Sequence, residues 1–294
     1  MKGPLLKSLV FYSLWLMALS MAEYPPAGHL FIFESKYAPF PHPQRAGGHI
    51  YQDSLYALAP HYNDSSIAVF IPEGFESADT VDMVFYFHGW WNNINQSIDE
   101  FDLLGQFTRS NRKAVFVFPE GPKNAPDSFG GKMEEPGVFK QLVEDVLTQL
   151  KKRGLLDDAV PGKIILSGHS GAYRAIAHIL HHGGLSGHIK EVYLFDALYG
   201  QLDKFEDWIL SGEGKLLNII TPQGGTWQTS LDFLYELEQK QISFETVQGN
   251  VVPDTQLRDN HLLFIFSDLG HNEVINPYLQ LFLEVSVLGP LRIH

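Results

Sequence analysis

Short apolar runs alternate with longer segments of helical spacing along most of the chain. The runs are nearly continuous stretches of aliphatic and aromatic residues. Such stretches are typical of strands buried on both faces of a parallel sheet, whereas half-exposed strands alternate between apolar and polar positions. The strands predicted in this way are Ile67–Ile71, Met83–Phe87, Ala114–Phe118, Lys163–Ser167, Glu191–Phe195, Leu217–Thr221 and Leu262–Phe266.

Three further segments carry apolar residues at helical spacing. In Ala172–His182 the apolar positions form one stripe, and Gly183 follows directly. Val138–Lys152 and Asn276–Leu288 have the same periodicity. Alternating strands and helices predict an α/β fold with a doubly wound, mostly parallel sheet flanked by helices. In such folds the reactive side chains lie in loops just beyond the carboxyl ends of the strands.

Residues 1–22 have the pattern of a cleavable secretory signal peptide. Two lysines precede an uncharged apolar stretch of about 15 residues, which is short for a bilayer-spanning helix of roughly 20. The small residues Ser20 and Ala22 stand where a signal peptidase prefers them. We therefore expect a secreted or periplasmic protein, and an uncleaved N-terminal anchor is the alternative.

The remaining residues, 23–294, contain no internal repeat, low-complexity tract or flexible linker. A chain of this length suits one α/β domain of the larger kind. We predict a single domain, within which residues 23–66 form an N-terminal extension that has no assigned element.

Composition and charge narrow the classes of function. The chain carries 34 acidic and 21 basic residues, a net charge of −13. This balance argues against nucleic-acid binding, which needs a basic surface, and against attachment to an anionic membrane. Because the sequence has no cysteine, a disulfide framework, a thiolate nucleophile and cysteine-bound zinc are excluded. The function must be sought in motifs at the strand ends.

The first motif lies where a predicted strand meets a predicted helix. The sequence GHSGA, from Gly168 to Ala172, fits the G-x-S-x-[GA] pattern of a tight turn that lifts a serine clear of the backbone. Gly168 and Gly171 allow the close approach of strand and helix that this turn needs. Ser170 is therefore the candidate nucleophile, and a serine that only caps the helix is the alternative.

The second motif, HGWW, follows an earlier predicted strand. Acyl transfer needs two backbone N–H groups directed at the oxygen that becomes negative. We expect these from Gly171, the residue after the nucleophile, and from Trp90. His88 is expected to brace the loop by hydrogen bonding. Trp90 and Trp91 either line a substrate surface or cap the core at the strand end.

A histidine and an acid at two further strand ends complete the set. A serine hydroxyl needs a base, and His271, after the last predicted strand, is the histidine best placed to serve Ser170. Asp196, at the tip of the strand after the elbow helix, is the preferred acid for orienting that histidine. The other aspartates that stay open for this role are Asp232, Asp254, Asp259 and Asp268.

Taken together, GHSGA, HGWW and LGH resemble the motifs of α/β-hydrolase-fold serine hydrolases, from about Ile67 to the C-terminal helix. The resemblance implies an eight-stranded type of sheet, no cofactor or metal, and a triad in the chain order Ser, Asp, His. The acid departs from the most frequent pattern, because it lies one strand earlier.

Within that fold the chain resembles the exported esterases and the polyester-depolymerase-like branch more than the lipases with large lids. Only about fifteen residues, Gln201–Lys215, stand where lipases insert a cap, and one short helix over Asp203–Ser211 fits there. A small cap or none implies an open site that suits polymeric or surface-bound substrates.

Further residues are candidates for contact with substrate. The Pro- and Gly-rich loop after Phe118 lies at the reactive edge of the sheet, where loops shape specificity. The candidate contacts are Trp91, Asp127, Phe129 and Tyr199. The expected partner is a small-molecule or polymeric ester, with no nucleic acid and, after signal cleavage, no membrane. The oligomeric state stays open.

Three functions are compatible with these residues. The leading hypothesis is hydrolysis of a carboxylic ester through an acyl-enzyme intermediate. A peptidase or cell-wall amidase would use the same triad on an amide, and the sequence does not separate the two. A non-catalytic binding protein on this scaffold is less favoured, because serine, aspartate and histidine are all retained.

Overall fold

The computed structural model describes residues 27–212 and 214–291, so the predicted signal peptide lies outside the described residues. The strands are β1 (Gly28–Glu34), β2 (His49–Tyr51), β3 (Ser54–Tyr56), β4 (Ser66–Pro72), β5 (Thr80–Phe87), β6 (Val115–Pro119), β7 (Val160–His169), β8 (Ile189–Phe195), β9 (Lys215–Ile220), β10 (Glu245–Gln248) and β11 (Leu262–Phe266). The helices are α1 (Leu58–His61), α2 (Ile94–Glu100), α3 (Leu103–Arg109), α4 (Val138–Lys152), α5 (Tyr173–His182), α6 (Leu202–Leu210), α7 (Trp227–Gln239), α8 (Asp254–Asp259) and α9 (Ile275–Glu284).

One mixed sheet organises this part of the chain. Among the described residues it has nine strands in the order β1-β4-β6-β5-β7-β8-β9-β11-β10. Strand β4 runs antiparallel to both of its neighbours, and every other pair is parallel. The predicted α/β class with a mostly parallel sheet is confirmed. The implied eight-stranded type is wrong by one strand.

Helices cover both faces of the sheet and explain the continuous apolar runs. Side chains from α4, α5, α6 and α7 pack in one buried cluster, and those from α3, α8 and α9 pack in a second. Successive residues of a strand point to opposite faces. In β7, accordingly, Ile164 and Leu166 belong to the first cluster and Ile165 to the second. Both faces are buried, so both sets of positions must be apolar.

The predicted elements lie close to the observed ones. Helix α4 has the predicted bounds. Helix α9 ends at Glu284, four residues before the predicted end. A single helix, α6, connects β8 to β9, so no cap is inserted at that position. Of the helices in the described ranges, none is long and apolar enough to cross a bilayer.

The N-terminal extension packs against one edge of the sheet and against the loop that follows β6. Its first strand, β1, pairs with β4, and β2 and β3 form a separate hairpin. Between these elements a small aromatic cluster joins Phe40 and Tyr62 to Phe129. Arg45 makes a two-pronged ion pair with the buried Asp127, at 2.6 and 3.1 Å. The extension is thereby attached to the loop that follows β6.

Candidate active site

The predicted nucleophile occupies a sharp turn between β7 and α5. Ser170 has a φ of +53°, a left-handed conformation that is uncommon for a residue with a side chain. The strand and the helix approach so closely here that a Cβ on Gly168 would lie 2.6 Å from the Ile176 side chain and 2.7 Å from Cβ of Ala172. Only glycine fits that position. The turn therefore has the form of a nucleophile elbow.

Asp196 and His271 meet beside this turn. Asp196 follows β8 and is fully buried, and its Oδ2 lies 2.7 Å from Nδ1 of His271. An ionised carboxylate only accepts hydrogen bonds, so Nδ1 of His271 carries the proton. In the neutral ring Nε2 is then unprotonated, which is the state a general base requires.

Two threonines that the sequence analysis did not single out hold the carboxylate. The hydroxyl of Thr221 donates to Oδ2 of Asp196 at 2.5 Å, and the hydroxyl of Thr226 donates to Oδ1. Burial alone raises the pKa of Asp196. The hydrogen bonds from His271, Thr221 and Thr226 outweigh burial, and the pKa lies below its ordinary value. Asp196 is therefore a carboxylate at neutral pH.

Ser170 and His271 line the same open cavity, of about 490 Å³. Trp90, Trp91 and Tyr199 contribute to its wall. The structure thus brings the three predicted triad residues to one rim of the sheet. Of the five aspartates considered, the one bonded to His271 is Asp196.

His169 supports the loop that carries His271. Its Nε2 donates to the backbone carbonyl of His271 at 3.0 Å, and the two rings lie 4.5 Å apart between centroids. Burial, with a smaller contribution from His271, lowers the pKa of His169 to about 3. A neutral ring at this position stabilises the loop without adding a second positive charge.

The two loops expected to donate backbone N–H groups touch each other beside the serine. A Cβ on Gly89 would lie 2.6 Å from Cβ of Ser170, and a Cβ on Gly171 would lie 2.6 Å from Cδ1 of Trp90. The indole N–H of Trp90 donates to Oγ of Ser128 at 2.7 Å. The backbone amides of Gly171 and Trp90 are therefore close to Ser170, as an oxyanion hole requires.

Two of the four predicted substrate contacts lie at the cavities. Trp91 is 49% exposed on the wall of the large cavity. Tyr199 also lines a second cavity of about 210 Å³, with Trp90, Ser128 and Tyr173. Burial, followed by the charge of Asp196, raises the pKa of Tyr199 to about 12, so its hydroxyl stays protonated.

The other two predicted contacts, Asp127 and Phe129, line neither of these two cavities. Asp127 is paired with Arg45 and accepts the backbone N–H of Phe129 at 2.9 Å. Phe129 packs edge-on against His42, with ring centroids 4.9 Å apart. Their partners belong to the N-terminal extension, for which the sequence assigned no element. Of this loop, Ser128, which lies between them in the sequence, lines the small cavity.

The order of the strands, the elbow serine and the buried aspartate together define an α/β-hydrolase fold. Comparison with solved structures agrees. A feruloyl esterase module from Clostridium thermocellum, solved as a mutant in complex with sinapinate, has a TM-score of 0.55 at 10% identity, over 92% of this chain and 93% of the module.

Two other similar structures cover nearly their whole length. A ferulic acid esterase has a TM-score of 0.57 at 12% identity, over 88% of this chain and 97% of its own. FphF, a fluorophosphonate-binding serine hydrolase from Staphylococcus aureus, has a TM-score of 0.53 at 11% identity, over 88% of this chain and 99% of its own. No family model and no curated protein matches the sequence. At these identities the likeness establishes the fold.

Proposed function

We propose that this protein is an exported serine hydrolase that cleaves a carboxylic ester through Ser170, His271 and Asp196. The observation that carries the proposal is the 2.7 Å bond between the buried Asp196 and His271, in a cavity that His271 shares with the elbow serine. A histidine fixed by a carboxylate, in the same cavity as a half-buried serine, is the arrangement that activates a serine nucleophile.

The chemistry follows from these positions. Oγ of Ser170 attacks the ester carbonyl while Nε2 of His271 takes its proton, and Asp196 stabilises the imidazolium. The carbonyl oxygen becomes negative and accepts hydrogen bonds from the N–H groups of Gly171 and Trp90. The C–O bond to the alcohol then breaks, with His271 protonating the leaving oxygen. Water, activated by the same histidine, releases the acid and restores Ser170.

The two cavities suggest which part of the ester lies where. The smaller cavity has aromatic walls from Trp90, Tyr173 and Tyr199, and we assign it to the acyl group. The larger cavity is lined by polar side chains as well as Trp91, and we assign it to the alcohol. An aromatic acyl group suits the smaller cavity, and feruloyl and ferulic acid esterases are among the structures of similar fold.

Export is the second part of the proposal. Residues 1–22 carry the charge pattern, the short apolar stretch and the small residues of a cleavable signal. Expression in a secreting host, followed by N-terminal sequencing of the extracellular protein, tests it. We expect the mature chain to begin at Glu23, and a chain that keeps Met1 in the membrane fraction would contradict export.

The reaction class is tested with matched substrates. p-Nitrophenyl esters of acetate and cinnamate are compared with the p-nitroanilides of the same acids, for the wild type and for Ser170→Ala. We expect hydrolysis of the esters at rates well above those of the anilides, abolished by the substitution. Faster cleavage of the anilides would support the amidase alternative instead.

A further inference from the structure

A second histidine–carboxylate pair is buried beneath the loop that supplies Trp90. His88 follows β5 and Glu120 follows β6, and these two strands are parallel neighbours. The side chains are 1% and 3% exposed, and Nε2 of His88 lies 3.0 Å from Oε1 of Glu120. Neither residue lines the cavity that Ser170 and His271 share. Neither residue takes part in the proton transfers proposed for Ser170 and His271.

The other ring nitrogen of His88 contacts the backbone of the same loop. Nδ1 lies 2.7 Å from the backbone carbonyl oxygen of Gly89. A carbonyl oxygen can only accept, so the proton is on Nδ1 and the imidazole donates. The peptide that receives this bond joins Gly89 to Trp90, and its N–H is therefore the one expected in the oxyanion hole.

The geometry of that peptide sets the direction of its N–H. The cis peptide bonds among the described residues precede Pro41 and Pro60, so the bond between Gly89 and Trp90 is trans. In a trans peptide the C=O and the N–H point in opposite directions. Because the carbonyl points at the buried His88, the N–H points to the other side of the loop. Ser170 lies against this loop, within van der Waals contact of Gly89.

We propose that His88 is a positioning residue that orients and polarises the Gly89–Trp90 peptide, so that the N–H of Trp90 stabilises the oxyanion. The inference rests on the proposed function. A hydrogen bond accepted at the carbonyl draws electron density from the amide nitrogen and strengthens the N–H as a donor, as in other chains of hydrogen bonds. His88 does not touch the substrate.

Glu120 holds the imidazole in this orientation. Its Oε2 accepts the backbone N–H of Ile94 at 3.3 Å, and its Oε1 faces Nε2 of His88, which also receives the backbone N–H of Gly121 at 3.0 Å. These contacts hold the imidazole on the side of Nε2 and leave Nδ1 directed at Gly89.

Two substitutions of His88 separate positioning from simple structural support. In His88→Asn the amide nitrogen takes the place of Nδ1 and can still donate to Gly89. In His88→Gln the amide reaches toward Glu120, and the donor to Gly89 is lost. Both replacements are polar and uncharged, which makes them a matched pair. Active-site titration with a fluorophosphonate corrects each rate for the fraction of folded enzyme.

The readout is the ratio of kcat/KM for a p-nitrophenyl ester to that for its thionoester, in which sulfur replaces the carbonyl oxygen. Sulfur is a weak acceptor, so the thionoester gains little from the oxyanion hole. Loss of one oxyanion donor costs about 10²- to 10³-fold. For His88→Gln we expect the ester rate to fall by up to about 10²-fold, with a much smaller fall for the thionoester. For His88→Asn we expect a ratio within about threefold of the wild type, because the donor to Gly89 is kept.

Equal loss on both substrates in the Gln variant, or a collapsed ratio in the Asn variant, would overturn the inference. If the Gln variant does not fold, the Asn variant decides alone. An unmodified protein that hydrolyses neither substrate and is not labelled by the fluorophosphonate would overturn the proposed function, and this inference with it. A wild type that is active and labelled, with the ratio unchanged in His88→Gln, would overturn the inference alone.

Discussion

The two histidine–carboxylate pairs at the carboxyl edge of the sheet have similar geometry and different surroundings. His271 and Asp196 are 2.7 Å apart, and His88 and Glu120 are 3.0 Å apart. The side chain of His271 is 29% exposed and that of His88 is 1% exposed. Both acids are almost completely buried.

The difference between the pairs lies in the second ring nitrogen. In His271 the carboxylate takes Nδ1, so Nε2 is left for the cavity that this residue shares with Ser170. In His88 the carboxylate faces Nε2, and Nδ1 donates to the backbone of Gly89. A histidine with one nitrogen available can exchange a proton with substrate, whereas one with both nitrogens occupied holds a backbone in place.

Replacing the acid of each pair by its amide should give the largest difference in kcat between the two pairs. Asp196→Asn puts an amide against Nδ1 of His271 and favours the wrong tautomer, for which we expect kcat to fall by about 10⁴-fold. Glu120→Gln lets the amide donate to Nε2 of His88 and keeps the donor to Gly89, so we expect a loss of less than about tenfold. Steady-state kinetics on one p-nitrophenyl ester checks both, and equal losses would contradict the distinction.

The hydrogen bonds around Asp196 should appear in the pH dependence of stability. Its pKa in the folded protein lies below the ordinary value of 3.8. The ionised group therefore adds stability above that value, and the stability is lost as the pH falls through the lower, native pKa. Thr221→Val removes one donor and raises the native pKa. We expect the free energy of unfolding at pH 7 to fall by about 2 kcal/mol, the size of a hydrogen bond to a charged group.

Urea unfolding at pH 7 and pH 3 measures this effect, and the deficit of the Thr221→Val protein should shrink at the lower pH. Thr108→Val is the matched control, because the hydroxyl of Thr108 donates to a helix carbonyl at 2.8 Å and to no carboxylate. Its deficit should be the same at both pH values. If the loss in unfolding free energy is the same at both pH values in both variants, Thr221 does not lower the pKa of Asp196.

A third carboxylate near the serine, Glu100, should have the smallest effect. It is exposed on the wall of the large cavity, and the ion pairs of the described residues do not include it. Its charge should favour a cationic alcohol over an anionic one. Glu100→Lys should change the ratio of kcat/KM for choline and glycolate esters of one acid by about fivefold, the order of an exposed charge interaction.

Salt and a distant variant control for the charge effect of Glu100. The ratio should approach the wild-type value at high ionic strength, because salt screens exposed charges. Glu236→Lys makes the same charge change on an exposed position of α7 and should leave the ratio unaltered. An equal response to Glu236→Lys would mean that net charge, not the cavity, selects the alcohol.

The three residues of the proposed triad were predictable from the sequence, and the residues that hold Asp196 and His88 in place were not. Ser170, Asp196 and His271 each come after a buried apolar run, so the pattern alone places them at one edge of a parallel sheet. Thr221 and Glu120 act through contacts between strands that are distant in sequence. Both follow apolar runs too, but the type of residue gives no hint of its partner.

Two of the strands that the apolar pattern missed lie at the edges of the sheet. Strand β10 is a largely exposed edge strand with the sequence ETVQ. It contains no continuous apolar stretch, so the apolar pattern does not predict it. Strand β1 lies at the opposite edge, with Leu30 and Ile32 on its exposed side. The ion pair of Asp127 with Arg45 could not be predicted for a related reason, because Arg45 lies in the extension that carries no periodic signal.

Labelling with a fluorophosphonate probe shows directly whether Ser170 is an activated nucleophile. The purified protein is incubated with the probe, digested and analysed by mass spectrometry, with Ser170→Ala and His271→Gln alongside. We predict one adduct, on the peptide that contains Ser170, absent from the first variant and formed far more slowly in the second. An unlabelled Ser170 in folded protein, or a rate that does not depend on His271, would contradict the proposed triad.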